Sequence, residues 1–388
     1  MSVFSPTTKE LLQFFEEASM ARKVFIAATG QDCGKTTTSL SLIHLALKKY
    51  RRVGFIKPVG PKPSPYKDFW VDKDAALVAK VFGLEDDIRL MSPVVVQPGD
   101  TRKVIDGIVT RERLEQQLIK ACKELEERCD FLIIEGAGHS GVGSVLGLSN
   151  ARVARLLNAP VLIVSGGGIG HVIDDVSMNL ALYKMEGAAV RIIMPNKLIA
   201  EKRARTLEYM GKAFAHENFI VHGGFNYSPI LAGPTLQHVA KLFDVSLRAN
   251  QEQARQIIKH IQLAAASTEK VVEILKNSTL LLVNSSRNEL LVMLATLHHI
   301  PEYAEKLSGV LISGANPIAK LTQQVLDDSQ LPFMRTEQLT SNVFQTVTRD
   351  VSKITADDHE KISLVKSLAE QELDFDLIDS QLGQEIVQ

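Results

Sequence analysis

The sequence predicts an α/β protein: a mostly parallel sheet covered by helices on both faces, followed by a second, smaller α/β domain. Three observations carry that prediction. Short, continuously apolar runs such as "DFLIIEG" and "APVLIVSGG" read as strands buried on both faces, as parallel sheets between helical layers require. Stretches with helical spacing lie between them, so strand and helix alternate. Near residue 245 the alternation pauses and then restarts on a smaller scale, and 388 residues suffice for two cores.

Residues 1–19 place Thr7 and Glu10 at capping-box spacing ahead of Leu11, Leu12, Phe14 and Phe15, which predicts an added N-terminal helix. Glu10, Glu16 and Glu17 break its apolar run, so it does not read as a signal peptide. "KVFIAATG" is then a strand and "KTTTSLSLIHLALKKY" a helix, with Leu40, Ile43, Leu45 and Leu47 on an apolar face. "RVGFIKPVG" continues as a strand, "DKDAALVAKVFGL" as a helix, and "RERLEQQLIKACKELEERC" as a long amphipathic helix into "DFLIIEG". Helix "SNARVARLLN", strand "APVLIVSGG", helix "IDDVSMNLALYKM", strand "VRIIMPNK", helix "EKRARTLEYMGKAFA" and strand "NFIVHGG" complete a first domain expected over 20–245. A helical connection, "RANQEQARQIIKHIQLAAASTEKVVEIL", leads into a second domain over 246–388. That domain runs through "STLLLVNSS", "RNELLVMLATLHH", "LSGVLISG", "ANPIAKLTQQVLDD", "LPFMRT" and "SNVFQTVTRDV", and closes with "ADDHEKISLVKSLAEQ".

Composition excludes several classes. The formal charge of -1 offers no basic footprint for a phosphate backbone, so no nucleic-acid partner is expected. No run reaches the roughly eighteen apolar residues of a membrane span, and no membrane association is expected. Cys33, Cys122 and Cys129 form neither a CxxC pair nor a disulfide framework, which points to a reduced, cytoplasmic setting.

The chemistry gathers at the first strand–helix turn. "ATGQDCGKTT" supplies Gly34, Lys35 and Thr36 as the second half of a GxxxxGK[ST] loop, with Thr29 where the first glycine belongs and Gly30 just after it. Backbone N–H groups at a helix N-terminus favour phosphate, and Gly30 and Gly34 permit the path they need. The expected nucleotide-binding residues are therefore Gly30, Gln31, Asp32, Cys33, Gly34, Lys35, Thr36 and Thr37, with Cys33 as a small loop residue and not a nucleophile. Lys35 would reach the terminal phosphates, and the Thr36 hydroxyl would help to hold Mg2+. Glu135 ends an apolar strand ahead of Gly136 and Gly138, at the carboxyl edge where open α/β sheets bind ligands, and is the second metal candidate. Lys57 ends the preceding strand beside Pro58 and can neutralise a transferring phosphoryl group. Asp72 and Asp74 precede a helix, where either caps it or Asp74 joins the metal.

In this order and spacing, "ATGQDCGKTT", "FIKPVG", "DKDAALVAKVFGL", "IIEGAGHSG" and "IIMPNK" resemble the P-loop NTPase-type fold of dethiobiotin synthetase and cobyrinic acid a,c-diamide synthase. The likeness extends to the N-terminal region of long bacterial phosphate acetyltransferases, in which a small DRTGG domain follows the ATPase region. The resemblance implies Mg-ATP as ligand, Thr36, Asp74 and Glu135 as metal ligands, and Lys35 and Lys57 as catalytic lysines. It further implies Asn196 at the adenine edge, "HGGFNYSPIL" lining the base pocket, a small carboxylate substrate and a homodimer. The DRTGG signature itself is altered: "VNSSRNELLVML" keeps Arg287 and lacks the glycines and the leading aspartate.

Other motifs carry less. "SGGGIGH" has His171 where a GxGxxG pattern needs glycine, and reads as a tight turn. His139, near Glu135, reads as a solvated surface side chain; His298 and His299 alternate faces of a helix and do not suit zinc. The basic helix "EKRARTLEYMGK" reads as a solvated face. Without cysteine beyond residue 130 the C-terminal part cannot supply a glutamine-amidotransferase nucleophile, and the chain is too short for an added acyl-transferase domain. Two functions follow: an ATP-dependent enzyme that activates a carboxylate by phosphoryl transfer, or a nucleotide-binding regulatory module without the acetyltransferase domain. A substrate-sized space opposite the terminal phosphate distinguishes them.

Overall fold

Strand β1 (Arg22–Ala28) lies inside a six-stranded parallel sheet in which nearly every central residue is buried. It is joined by β2 (Val53–Ile56), β3 (Phe131–Glu135), β4 (Val161–Ser165), β5 (Val190–Pro195) and β6 (Ile220–Val221), in the order β6-β5-β4-β1-β3-β2. The computed structural model describes residues 21–350 and 353–383, so the helix expected over 1–19 lies outside the described residues. Ile26 of β1 pairs with Glu135 of β3, and Ala27 with Ile163 of β4. The chain leaves β1 for the edge strand β2, returns to β3 between them, and then crosses to β4. That change of direction opens the sheet's carboxyl edge around β1, where ligands of such sheets bind.

Alternate residues of these strands feed two helical layers. Phe25, Ala27, Leu132, Ile134, Val161 and Ile163 pack with α3 (Arg111–Glu126), α4 (Asn150–Leu156), α5 (Gly170–Glu186) and Met210 of α6 (Arg203–Ala213). On the other face α1 (Lys35–Lys49) lies against β1 and β3. Helix α2 (Lys73–Phe82) follows a two-stranded antiparallel ribbon, Pro63–Tyr66 with Phe69–Asp72, that sequence periodicity does not reveal.

The chain divides into two compact units, Met1–Tyr227 with Thr355–Gln388, and Ser228–Ile354. This differs from the expected boundary at 245/246. "ADDHEKISLVKSLAEQ" does not close the second domain: it forms α12 (His359–Glu372), which returns to the first unit with α13 (Phe375–Leu382). There the Phe131 ring lies between Tyr50 and Phe375, at centroid distances of 5.1 and 5.9 Å. Buried Asp379 accepts hydrogen bonds from the Tyr50 hydroxyl at 2.8 and 2.9 Å and pairs with Lys49 at 2.9 Å and Arg22 at 3.3 Å.

Within the second unit β8 (His260–Leu263), β9 (Thr279–Asn284), β10 (Leu307–Ser313) and β11 (Phe333–Thr336) are parallel, and β7 (Leu247–Arg248) runs antiparallel to β11. Leu281, Val283, Val310 and Ile312 face α8 (Thr268–Glu273), α9 (Asn288–Leu297) and α10 (Lys320–Asp328). Leu280, Leu282 and Leu311 face α7 (Leu236–Leu242) and α11 (Thr340–Arg349). The expected helical connection over 248–275 is broken by β8. There the four strand residues "HIQL" alternate polar and apolar, and pairing with β9 at the sheet edge outweighs the helix propensity around them.

Candidate functional site

The loop after β1 is curled, not extended. Asp32 and Gly34 take positive φ of 55° and 105°, which turns successive N–H groups toward one side before α1 begins at Lys35. Among the described residues no side chain caps α1 and no acidic residue stands in its first turn, so those N–H groups suit an anion. Thr29, in place of the usual glycine, is buried; its N–H bonds the Val164 carbonyl and its own carbonyl accepts from Asn179 Nδ2. The strand end is thereby anchored without a glycine.

Gly34 is constrained twice. Its φ disfavours an L side chain, and a Cβ there would overlap Asn196 Nδ2. Gly34→Ala is expected to cost about 1–3 kcal/mol of strain and to weaken nucleotide binding, as thermal unfolding with and without ATP would show. An unchanged melting point and an unchanged ATP-induced shift would refute the close fit.

The charged residues converge at the carboxyl edge. Lys57, 2% exposed, donates through Nζ to Asp74 Oδ2 at 2.8 Å, Glu135 Oε1 at 2.7 Å and the Gly136 carbonyl at 3.2 Å. Burial works against its charge, but Glu135, Asp74 and Asp72 outweigh burial and hold its pKa above the ordinary lysine range. Glu135, fully buried, also accepts from Ser39 Oγ at 2.6 Å and Thr36 Oγ1 at 3.5 Å. Lys35 Nζ spans the loop, donating to the Gly30 and Gly138 carbonyls at 3.3 Å each. Asp72 is the cap: its Oδ1 accepts from Asp74 N–H at 2.9 Å, which leaves Asp74 for Lys57.

The predicted residues 30–34 thus lie in one curl and 35–37 in the first turn of α1, with Lys57, Asp74 and Glu135 together beside them. Asn196 stands behind the curl, its Nδ2 donating to the Cys33 carbonyl at 2.9 Å and its Oδ1 accepting from Phe225 N–H at 2.8 Å. Gly168, with φ of 107°, turns the "SGGGIGH" segment, and His139 is exposed. Three supporting residues were not singled out from sequence. Ser39 orients Glu135; Asn150 clamps the following loop through Ala137 N–H and the Ala137 and His139 carbonyls; Asn179 holds Ser140 N–H. Their one sequence signal is a polar residue on the buried face of a helix.

Residues 22–234 match a family model described as an AAA domain. The chain belongs to that family. The AAA domain is here a P-loop ATP-binding domain related to dethiobiotin synthetases and to the N-terminal part of phosphate acetyltransferases. Phosphate acetyltransferase of Nitratidesulfovibrio vulgaris is 21% identical over 372 residues, 94% of this chain and 52% of that protein. The chain spans about half the length of such relatives. The ATP-dependent dethiobiotin synthetase BioD of Methanocaldococcus jannaschii is 25% identical over 199 residues, 48% of this chain and 89% of its own. Among solved structures, a plasmid partition protein from Borrelia burgdorferi bound to AMPPNP is 11% identical with a TM-score of 0.36, covering 53% of this chain and 88% of its own. No helix among the described residues is long and apolar enough to cross a membrane.

Proposed function

We propose that the first unit binds Mg-ATP in the 29–37 loop and transfers the γ-phosphoryl group to a small carboxylate. One observation carries the reading: two lysines, one hydroxyl and two carboxylates meet at one point of the sheet edge, beside an anion-ready loop. A substrate carboxylate oxygen attacks the γ-phosphorus, the bond to the bridging β–γ oxygen breaks, and ADP leaves with an acyl phosphate as product. Lys35 and Lys57 neutralise charge that grows on the phosphoryl oxygens.

Thr36, Asp74 and Glu135 are hard oxygen donors and fit magnesium, which would supply charge neutralisation at the phosphates. Among the described residues no three His, Cys, Asp or Glu side chains cluster as a metal cage. Lys57 holds Asp74 and Glu135 together.

A second reading, a nucleotide-binding regulatory module, draws support from the phosphate acetyltransferase matches, which cover 94% of this chain and only 52% of the first such relative. The resemblance to those proteins also supports a DRTGG-like second unit, a homodimer and a cytoplasmic setting.

The test incubates the protein with ATP, magnesium and a panel of short-chain and medium-chain carboxylates, with hydroxylamine to trap acyl phosphate. Carboxylate-dependent ADP release with hydroxamate formation is expected; ATP binding with neither supports the regulatory reading. Glu135→Gln should lower turnover about a hundredfold while ATP affinity changes only severalfold. An unchanged magnesium-dependent rate would remove Glu135 from the site.

A further inference from the structure

Hydrogen bonds, with one covalent step along the backbone from Asn226 to Phe225, join the returning C-terminal helix to the phosphate loop. Glu372, near the end of α12, accepts through Oε2 from Asn226 N–H at 3.0 Å and pairs with Arg203 Nη1 at 3.4 Å. The same Arg203 nitrogen donates to the Gly224 carbonyl at 2.6 Å and to Asn226 Oδ1 at 3.3 Å. Residues 224–226 are therefore held from both sides. The next link is Phe225 N–H to Asn196 Oδ1, and the last is Asn196 Nδ2 to the carbonyl of Cys33.

That last bond controls a direction. A trans peptide is planar, with its C=O and N–H pointing to opposite sides. Holding the Cys33 carbonyl outward on Asn196 aims the Gly34 N–H the other way, toward the inside of the loop, and Gly34 φ of 105° preserves that aim. Both ends of the Asn196 amide are engaged within the protein, and the residue is 3% exposed.

We infer that Glu372 is a positioning residue of the nucleotide site, setting the aim of the Gly34 N–H through Asn226, Phe225 and Asn196. The inference rests on the reading that the 29–37 loop binds ATP. It makes a segment beyond residue 354 part of the phosphate machinery, although that segment follows the whole second unit in sequence. Side-chain exposure of 18% at Glu372 and 23% at Arg203 keeps the pair partly desolvated, where a charge-assisted bond holds its geometry.

The experiment is a double-mutant cycle on the full chain, with Glu372→Ala, Asn196→Ala and the pair together. Titration with ATP and magnesium should show roughly tenfold weaker binding for Glu372→Ala, and under about twofold further loss when Asn196→Ala is already present. Equal losses in both backgrounds, as a general loosening of the fold gives, would overturn the relay; so would normal ATP affinity in Glu372→Ala. Hydrogen exchange of the loop amides in nucleotide-free protein tests the relay without the ligand. Faster exchange at Gly34 is expected in both single variants. No change in Glu372→Ala would overturn the relay, whereas faster exchange in the variants, together with a wild type that fails to bind ATP, would sink only the nucleotide reading. If Glu372→Ala does not fold, Glu372→Gln keeps an acceptor for Asn226 and removes the Arg203 ion pair, and the same comparison applies.

Discussion

Lys57→Met is expected to lower the stability of the first unit by about 3–5 kcal/mol at neutral pH, read from the shift in denaturant midpoint. Methionine keeps the aliphatic length but strands two carboxylates whose side chains are only 10% (Asp74) and 0% (Glu135) exposed. In the wild-type protein the raised pKa of Lys57 means that its contribution is complete below the unfolded value of 10.5 and is lost only as pH climbs beyond it. A small loss would show that the ion cluster does not hold this edge together.

Lys35→Ala should weaken ATP binding about a hundredfold or more, measured by isothermal titration. Burial is the main force that lowers the Lys35 pKa, to about 8; Lys57 adds to it, while Glu135, Cys33 and Asp74 oppose it. A phosphate in the loop favours the charged lysine, so binding takes up a proton where the free amine is partly neutral. ATP affinity of the wild type should therefore fall as pH rises through 8, and heats measured in buffers of different ionisation enthalpy should report the proton. Ordinary affinity in the variant would refute the loop assignment.

Much of this site was legible because its residues are punctuated locally. Lys35, Thr36 and Glu135 stand where an apolar strand meets a glycine, and Lys57 stands where Pro58 stops a strand. Such positions fall at the carboxyl edge whatever the strand order. Asp72 and Asp74 were ambiguous because either spacing caps a helix; only the hydrogen bond from Asp74 N–H to Asp72 separates cap from ligand candidate. Ser39, Asn150 and Asn179 depend on which strands become neighbours, and the insertion of β3 between β1 and β2 is a long-range choice that no local pattern encodes. The period of α12 states that it has a buried face but not which core receives it, so the sequence alone does not return this helix to the first unit. The strand β8 was hidden by strong helix formers on both sides.

The return of α12 and α13 to the first unit has a consequence during synthesis. A ribosome delivers all six strands of the first sheet well before these two helices, and the roughly 130 intervening residues take on the order of ten seconds to translate. For that interval Phe131 lacks its neighbour Phe375, and Tyr50 and Lys49 lack Asp379. The inserted unit, whose strands all lie between 228 and 354, is complete first. The older, N-terminal part of the nascent chain is thus the last to close, and it is the part a chaperone would meet.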